Sequence, residues 1–459
     1  MHYKMFNFTR NIIIPRVSAA IIITAISTNS YGTSDRVVVN INRTIEAALK
    51  SDPILSAELQ EISIKQKTIK KLKSEFLPKL TLTSKISRTK VFDEFTGLSI
   101  DAELFGEVYT VNLSPVSPAY TMAMILSLEQ NIYNGNASIE QFTQARYELK
   151  IARADYNLKV SNKFRMSLSA YFELRKAFTK YTQALLDLEH AELQEKITDG
   201  YFKTNRADLN EKRKYAIETL EKKLEANDSM TILLEVINNY RTVTAINSIS
   251  ATDISNIVFP DDIELINPQK LINDFSIVKN SESSRQELLV LHALSKKKEL
   301  YAKWLPKIDL YASFTEISRE DKLYDTFKHL EKNNIEAGAR LTWNIFDGFK
   351  TSRSIDIEGH KITQAKLNAA QIYQSQNDRV SKHKISVKSR ELKLDILKEK
   401  LLILIEDQEI TKKKYLNNIV SRFELLKIQH KISKVKTNIS INKMDLVYTN
   451  IISKTLGEL

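Results

Sequence analysis

Two rhythms of hydrophobic and polar residues run along this chain, and each occurs twice. The first has period two. After Leu77-Pro78-Lys79, residues Leu80, Leu82 and Ile86 fall on one side and Thr81, Thr83, Lys85 and Ser87 on the other. After Leu305-Pro306-Lys307, residues Ile308, Leu310, Ala312 and Phe314 alternate with Asp309, Tyr311, Ser313 and Thr315. Alternation returns over Met122, Met124, Leu126, Leu128 and Ile132, and over Ala337, Ala339, Leu341, Trp343 and Ile345. Successive side chains of a strand point to opposite faces, so period two means strand. The pattern predicts strands near 80–91, 120–133, 307–318 and 336–346, each with an apolar and a polar face. Such strands suit a barrel wall between lipid and water, or a half-buried sheet in water.

The second rhythm has spacings of three and four. It runs through Phe142, Ala145, Leu149, Ala152 and Tyr156, then through Phe164, Leu168, Tyr171, Leu174, Phe178, Tyr181, Leu185 and Leu188. This is a narrow seam of coiled-coil type. It predicts a helix over 136–199, roughly 95 Å long at 1.5 Å per residue, returning over 207–240. The second half predicts an outgoing helix over 351–414 and a return over 423–453. Shorter helices are expected over 44–76 and 282–304, each ended by its Leu-Pro-Lys, since proline disfavours helix in the residue before it.

One phrase joins the rhythms. Asn131-Ile-Tyr-Asn-Gly135 and Asn344-Ile-Phe-Asp-Gly348 end the second strand of each half, and the two glycines stand 213 positions apart. The chain is a duplication of one unit: strands, a sharp turn, then a very long helical hairpin. The Leu-Pro-Lys copies stand 228 apart, so the first inter-strand segment is 15 residues longer. Both inter-strand segments, 92–118 and 319–335, read as loops. The division is 33–247 for the first repeat (hairpin 136–247), 248–280 for a linker, and 281–459 for the second repeat (hairpin 350–455).

Composition sharpens this plan. Only 9 glycines and 8 prolines occur in 459 residues, and none of the prolines lies between Pro118 and Pro260 or after Pro306. A globular enzyme of this length needs far more turn residues; long unbroken helices do not. The formal net charge of +12 comes mostly from lysines spread along the helices. Clustered Arg/Lys interleaved with aromatics, as nucleic-acid binding needs, is not seen. The absence of cysteine excludes disulfides, thiolate metal sites and a lipid-modified N-terminal cysteine. The seven histidines are scattered without HExxH spacing, and no phosphate-binding glycine loop occurs. No catalytic residues, cofactor or metal ligands are indicated. Residues 1–32 read as a signal peptide: Lys4, Arg10 and Arg16, an apolar run over 17–26, then small residues with cleavage after Gly32.

The doubled Leu-Pro-Lys openings, the doubled Asn-Ile-aromatic-Asn/Asp-Gly exits and the long hairpins together resemble the TolC-type outer-membrane efflux and secretion channels. The resemblance covers nearly all of the chain after the signal. It implies a mainly α fold with membrane β: a homotrimer whose protomers each give four strands to one 12-stranded β-barrel, continuous with a periplasmic α-helical barrel. The linker and C-terminal part would form a belt around the tunnel. The implied function is a passive exit duct in the bacterial outer membrane for a tripartite efflux or type I secretion system. The implied partners are two further copies, outer-membrane lipid, a periplasmic adaptor and an inner-membrane pump. Open sheet edges are not tolerated in lipid, which independently requires oligomerisation if the strands are in membrane.

The resemblance also points to the hairpin tips. The family's tip has an aromatic residue, glycine three on, and an acidic residue six beyond. Tyr415, Asn418 and Glu424 stand at these places, with Asn418 for glycine. Glu424 is thereby implied at the pore constriction, with Tyr415 and Arg422 beside it. The family's second acidic place holds Lys427, and Val420 stands in the slot of a latching arginine, two residues before Arg422. In the first tip Tyr201 is matched to Tyr415, 214 positions away, which puts Thr204 at the glycine place and Asn210 at the acidic one. Thr204 and Asn205 are the expected adaptor-facing residues, with Asn418. An ordinary solvated helix turn would also explain these residues. Trp343, Tyr133, Tyr120 and Phe346 stand near strand ends, either as an aromatic girdle or as packing where strand meets helix. Two other readings remain: a periplasmic adaptor, disfavoured by the scarcity of glycine for compact β domains, and a soluble coiled-coil scaffold, which leaves the strands unexplained.

Overall fold

The computed structural model describes residues 37–89, 99–104, 107–112, 119–247, 254, 256–278, 281–328, 332–417 and 419–456. The expected signal peptide, 1–32, lies outside them. The first helical stretch is two helices, α1 (Ile41–Lys50) and α2 (Pro53–Ser74), where one was expected over 44–76. Pro53 takes the first helical position of α2, and the Asp52 carboxylate accepts the Ile54 N–H at 2.8 Å. Proline at this position starts a helix that its missing N–H would interrupt elsewhere.

Strands β2 (Lys79–Thr89), β5 (Ala119–Tyr133), β7 (Lys307–Glu320) and β8 (Lys332–Thr342) form one antiparallel sheet in the order β2-β5-β7-β8. Two segments expected as loops contain structure. The first holds a hairpin of β3 (Ser99–Leu104) and β4 (Glu107–Asn112), and the second a short helix α7 (Leu323–Thr326). The last strand stops at Thr342, short of the expected 346, because its register partner at that point is Lys307. Pro306 precedes it and has no N–H to extend the ladder.

The register puts the separately read apolar faces on one side of the sheet. Leu80 lies opposite Leu128, Leu82 opposite Leu126, and Ile86 opposite Met122. Leu126 faces Phe314 across β5–β7, and Phe314 faces Ile335 across β7–β8. Directly opposed residues of an antiparallel pair share a face. Much of this face is bare in the single chain: Leu80 is 66% and Ile335 78% exposed. The other face carries Thr81, Thr83, Ser127, Ser313 and Glu336.

The long helices are α3 (Ala137–Lys203) and α8 (Lys350–Leu416), each of 67 residues. They return as α4 (Leu209–Thr244) and α9 (Arg422–Leu456). Helix α6 (Ser281–Tyr301) lies against both α3 and α8. The main core sits at mid-height of α3, where Phe164, Leu168, Tyr171 and Leu174 are fully buried. Linker residues Ile254, Ile257, Ile263 and Leu271 pack on it, with Ile237 and Tyr240 of α4 and Ile451 of α9. There β1 (Val37–Val38) pairs in parallel with β6 (Ile257–Val258), and α5 (Pro268–Asp274) follows. Asp261 fastens this region. Its carboxylate accepts the Ile41 N–H at 2.9 Å and the Tyr171 hydroxyl at 2.8 Å, and its carbonyl accepts Arg175 Nη1 at 2.8 Å. No helix among the described residues is long and apolar enough to cross a membrane.

Candidate functional site

Each strand-to-helix junction is built from two successive left-handed residues, Gly135 and Asn136 in one half, Gly348 and Phe349 in the other. Positive φ costs an L-residue energy but costs glycine nothing. The residue before each glycine accepts hydrogen bonds from the fourth residue on. Asn134 Oδ1 takes the Ser138 N–H at 3.3 Å, and Asp347 Oδ2 takes the Thr351 N–H at 3.0 Å. The repeated Asn/Asp-Gly is therefore a repeated backbone shape that turns a strand into a helix.

The tips repeat with the same 213-residue offset. At the end of α3, Arg206 N–H donates to Tyr201 O at 2.8 Å and Asn205 N–H to Phe202 O at 3.1 Å. Asn205 is left-handed (φ 53°). This is a Schellman closure with asparagine in glycine's usual place. At the end of α8, Ile419 N–H donates to Lys414 O at 2.9 Å, the same bond 213 positions on. Asn418, the counterpart of Asn205 by this offset, lies outside the described residues.

This offset corrects the expected alignment of the first tip. Thr204 has φ −104° and is the cap residue, so it does not hold the glycine place; Asn205 does. The residue matching Tyr415 is Phe202, and the acid matching Glu424 is Glu211, where Asn210 was expected. The caps agree: Asp208 Oδ1 accepts the Glu211 N–H at 2.6 Å, and Ser421 Oγ lies 3.4 Å from Glu424 N. Each returning helix thus opens with a cap residue followed three places later by glutamate, the order of a capping box. Aromatic, Asn and Glu stand at 202, 205 and 211 with the spacing found at 415, 418 and 424. Both tips therefore carry the pattern.

Glu424 is exposed in the first turn of α9, Arg422 is exposed at its first position, and Tyr415 is in the last turn of α8. No hydrogen bond or ion pair joins these three side chains among the described residues. The first tip is clasped by Asp199, which takes Lys203 at 2.7 Å and Lys212 at 2.6 Å. These two bonded ammonium groups hold its carboxyl down to about 2.

A polar cluster that the sequence did not reveal lies behind the tips, where α3 meets α9. His190 and His430 stack with ring centroids 4.4 Å apart and planes 17° apart. Buried Asp187 receives Gln183 Nε2 at 2.6 Å and Lys434 Nζ at 3.1 Å, and lies 3.4 Å from His430 Nε2. Gln183 Oε1 in turn accepts Thr437 Oγ1 at 2.7 Å. Burial raises the Asp187 pKa, but the Gln183 and Lys434 contacts outweigh it and hold the carboxyl below its usual range. Burial pushes both imidazoles below their usual range, with each ring's other charged neighbours adding smaller effects. The two histidines are 240 positions apart in sequence, so no local spacing could have paired them. No group of acidic and histidine side chains suited to a metal ion occurs among the described residues.

A sheet with one bare apolar face, leading into two long helical hairpins, is a fold shared with solved outer-membrane channels. Among solved structures, the *Campylobacter jejuni* CmeC outer-membrane channel matches at 16% identity over 97% of this chain and 93% of its own, with a TM-score of 0.69. CusC, a protein that forms a transmembrane channel, matches at 12% identity over 91% of this chain and 92% of its own, also at 0.69. The *Neisseria gonorrhoeae* MtrE outer-membrane channel, in its open state, matches at 14% identity over 91% and 88%, at 0.61. No family model and no curated protein matches the sequence.

Proposed function

We propose that this chain is one protomer of a homotrimeric exit duct in the bacterial outer membrane, with the long helices extending through the periplasm. The sheet carries the reading. Among the described residues it has two unpaired edges, β2 and β8, and one bare apolar face. Lipid tolerates such a face but not such edges. The four strands alternate in direction, so β8 of one copy runs antiparallel to β2 of the next, and a ring of copies closes without a break. Three copies give twelve strands, and the fold shared with CmeC, CusC and MtrE supports that number.

The duct is passive, serving a tripartite efflux or type I secretion assembly. An inner-membrane pump supplies the cargo, and a periplasmic adaptor meets the tips at Thr204, Asn205 and Asn418. Tyr415, Arg422 and Glu424 line the constriction. The 213-residue offset adds Glu211, so a trimer brings six glutamates to its mouth, and carboxylates at a narrow pore favour cations. Gly135 and Gly348 set where barrel wall becomes tunnel wall. The test is reconstitution of the purified full-length chain in planar lipid bilayers. Cation-preferring single-channel steps are expected; a chain that inserts without conducting refutes the duct.

A further inference from the structure

The cluster behind the tips joins the two hairpins of one protomer. Gln183, Asp187 and His190 share one face of α3, spaced four and three apart. His430, Ser433, Lys434 and Thr437 share the facing side of α9. Phe423, from the first turn of α9, lies between His190, at 6.4 Å, and Tyr215 of α4, at 6.5 Å. Nearer mid-height the same two helices are tied by Lys176 and Asp445 at 2.9 Å. The histidine cluster therefore fastens the tip-side part of the seam between α3 and α9.

We propose that the stacked His190–His430 pair is an acid-sensitive latch: when both rings take a proton, α9 parts from α3 and the tip end of the tunnel wall loosens. The charges around the pair set its behaviour. Asp187 on α3 and Glu218 on α4 are negative; Lys222 on α4 and Lys434 on α9 are positive. Lys222 is itself bonded to Glu225 on α4 at 2.7 Å, so these five sum to minus one: a first ring proton is balanced and a second is not. One proton on His430 finds Asp187, which Lys434 and Gln183 already engage. A second places two like charges in stacked rings, half-buried and shielded poorly from each other. The direction follows from linkage. Both rings titrate lower in the closed seam than the ordinary 6.5, so the parted seam binds more protons and acid favours it. The closed seam is fully favoured above 6.5 and loses ground as pH falls below it. The consequence for the mouth rests on the duct reading; the parting of the helices does not.

The chain has no cysteine, so spin labels go only where they are placed. Labels at E189C on α3 and K431C on α9, both exposed polar positions, report the seam in the full-length protein by electron–electron distance measurement. Between pH 8 and pH 5 the distance distribution is expected to lengthen reversibly, with its midpoint below 6.5, and bilayer conductance to rise over the same interval. The His190→Gln plus His430→Gln variant is expected to show neither change. The single His190→Gln variant, with one ring left to titrate, is expected to show a smaller change and serves if the double variant does not fold. A distance that ignores pH, or a shift that persists unchanged in the Gln variants, overturns the latch. A distance shift without conductance at any pH upholds the latch and refutes the duct.

Discussion

Gly135 and Gly348 share one backbone conformation, φ 69° and 67°, but not one environment. A Cβ on Gly135 would stand 2.5 Å from the Ala302 carbonyl oxygen and 2.9 Å from Leu305 Cβ, whereas one on Gly348 would meet nothing within 4 Å. Both glycines are required by the turn, and Gly135 is required a second time by the helix end packed on it.

Gly135→Ala is therefore expected to cost about 2–4 kcal/mol, from left-handed strain plus a backbone clash. Gly348→Ala should cost about 1–2 kcal/mol, from strain alone, and Gly348→Asn less, because asparagine tolerates this conformation. Thermal unfolding of the purified variants ranks them. Equal losses would mean that Gly348 is as crowded as Gly135 in the assembled protein.

Asn205 supplies the left-handed residue of the first tip. Asn205→Gly should leave stability unchanged or raise it slightly, and Asn205→Val should cost about 1–2 kcal/mol. Asp208→Ala removes a 2.6 Å cap bond and should cost about 1 kcal/mol, more than Ser421→Ala, whose contact is 3.4 Å. Hydrogen exchange at the two tips distinguishes these local effects from global unfolding.

The Asp261 carboxylate accepts three donors from two elements, Asn40 and Ile41 at the start of α1 and Tyr171 on α3. Asp261→Ala leaves the buried Tyr171 hydroxyl facing only Arg175 and should cost about 2–3 kcal/mol. The loss is expected at mid-height, detected as faster exchange in α1 and β6 with the tips unaffected. Uniformly faster exchange would refute that placement.

The acid response should belong to the histidines and not to Asp199. The Asp199 carboxyl is depressed to about 2, so its clasp contributes in full above the ordinary 3.8 and disappears only as pH falls through 2. Asp199→Asn should free the first tip at neutral pH without moving the response between pH 8 and pH 5. A shifted response would assign the titration to the tip clasp.

On the proposed duct, Glu211 and Glu424 divide the mouth's charge by their equivalence. Glu424→Gln should lower cation preference in single-channel recordings, and the double variant with Glu211→Gln should lower it further. A double variant no different from Glu424→Gln alone would remove Glu211 from the pore.

Much of this was legible because local physics wrote it locally. Period two marked four strands to within a few residues, and Leu-Pro-Lys and Asn/Asp-Gly marked the switches between strand and helix. At the first tip Tyr201 resembles Tyr415 without being its counterpart, because the turn is set by which residue takes positive φ and which carbonyl accepts the closing bond. Side-chain likeness slid that tip by one position and hid Glu211. Pro53 divides the first helical stretch, because proline is favoured in a first helical turn and not within a helix. Gly97, Gly106, Pro115 and Pro118 give the segment of the β3–β4 hairpin the composition of a loop. The His190–His430 pair depends on two hairpins lying side by side, which no spacing within one hairpin reveals.

On the duct reading, the sheet closes only by joining copies of itself. Light scattering of the full-length chain, extracted from outer membranes and corrected for bound detergent, measures this directly. Three chains per particle are expected; one chain per particle, or recovery of the protein in the soluble fraction, would refute closure by joined copies.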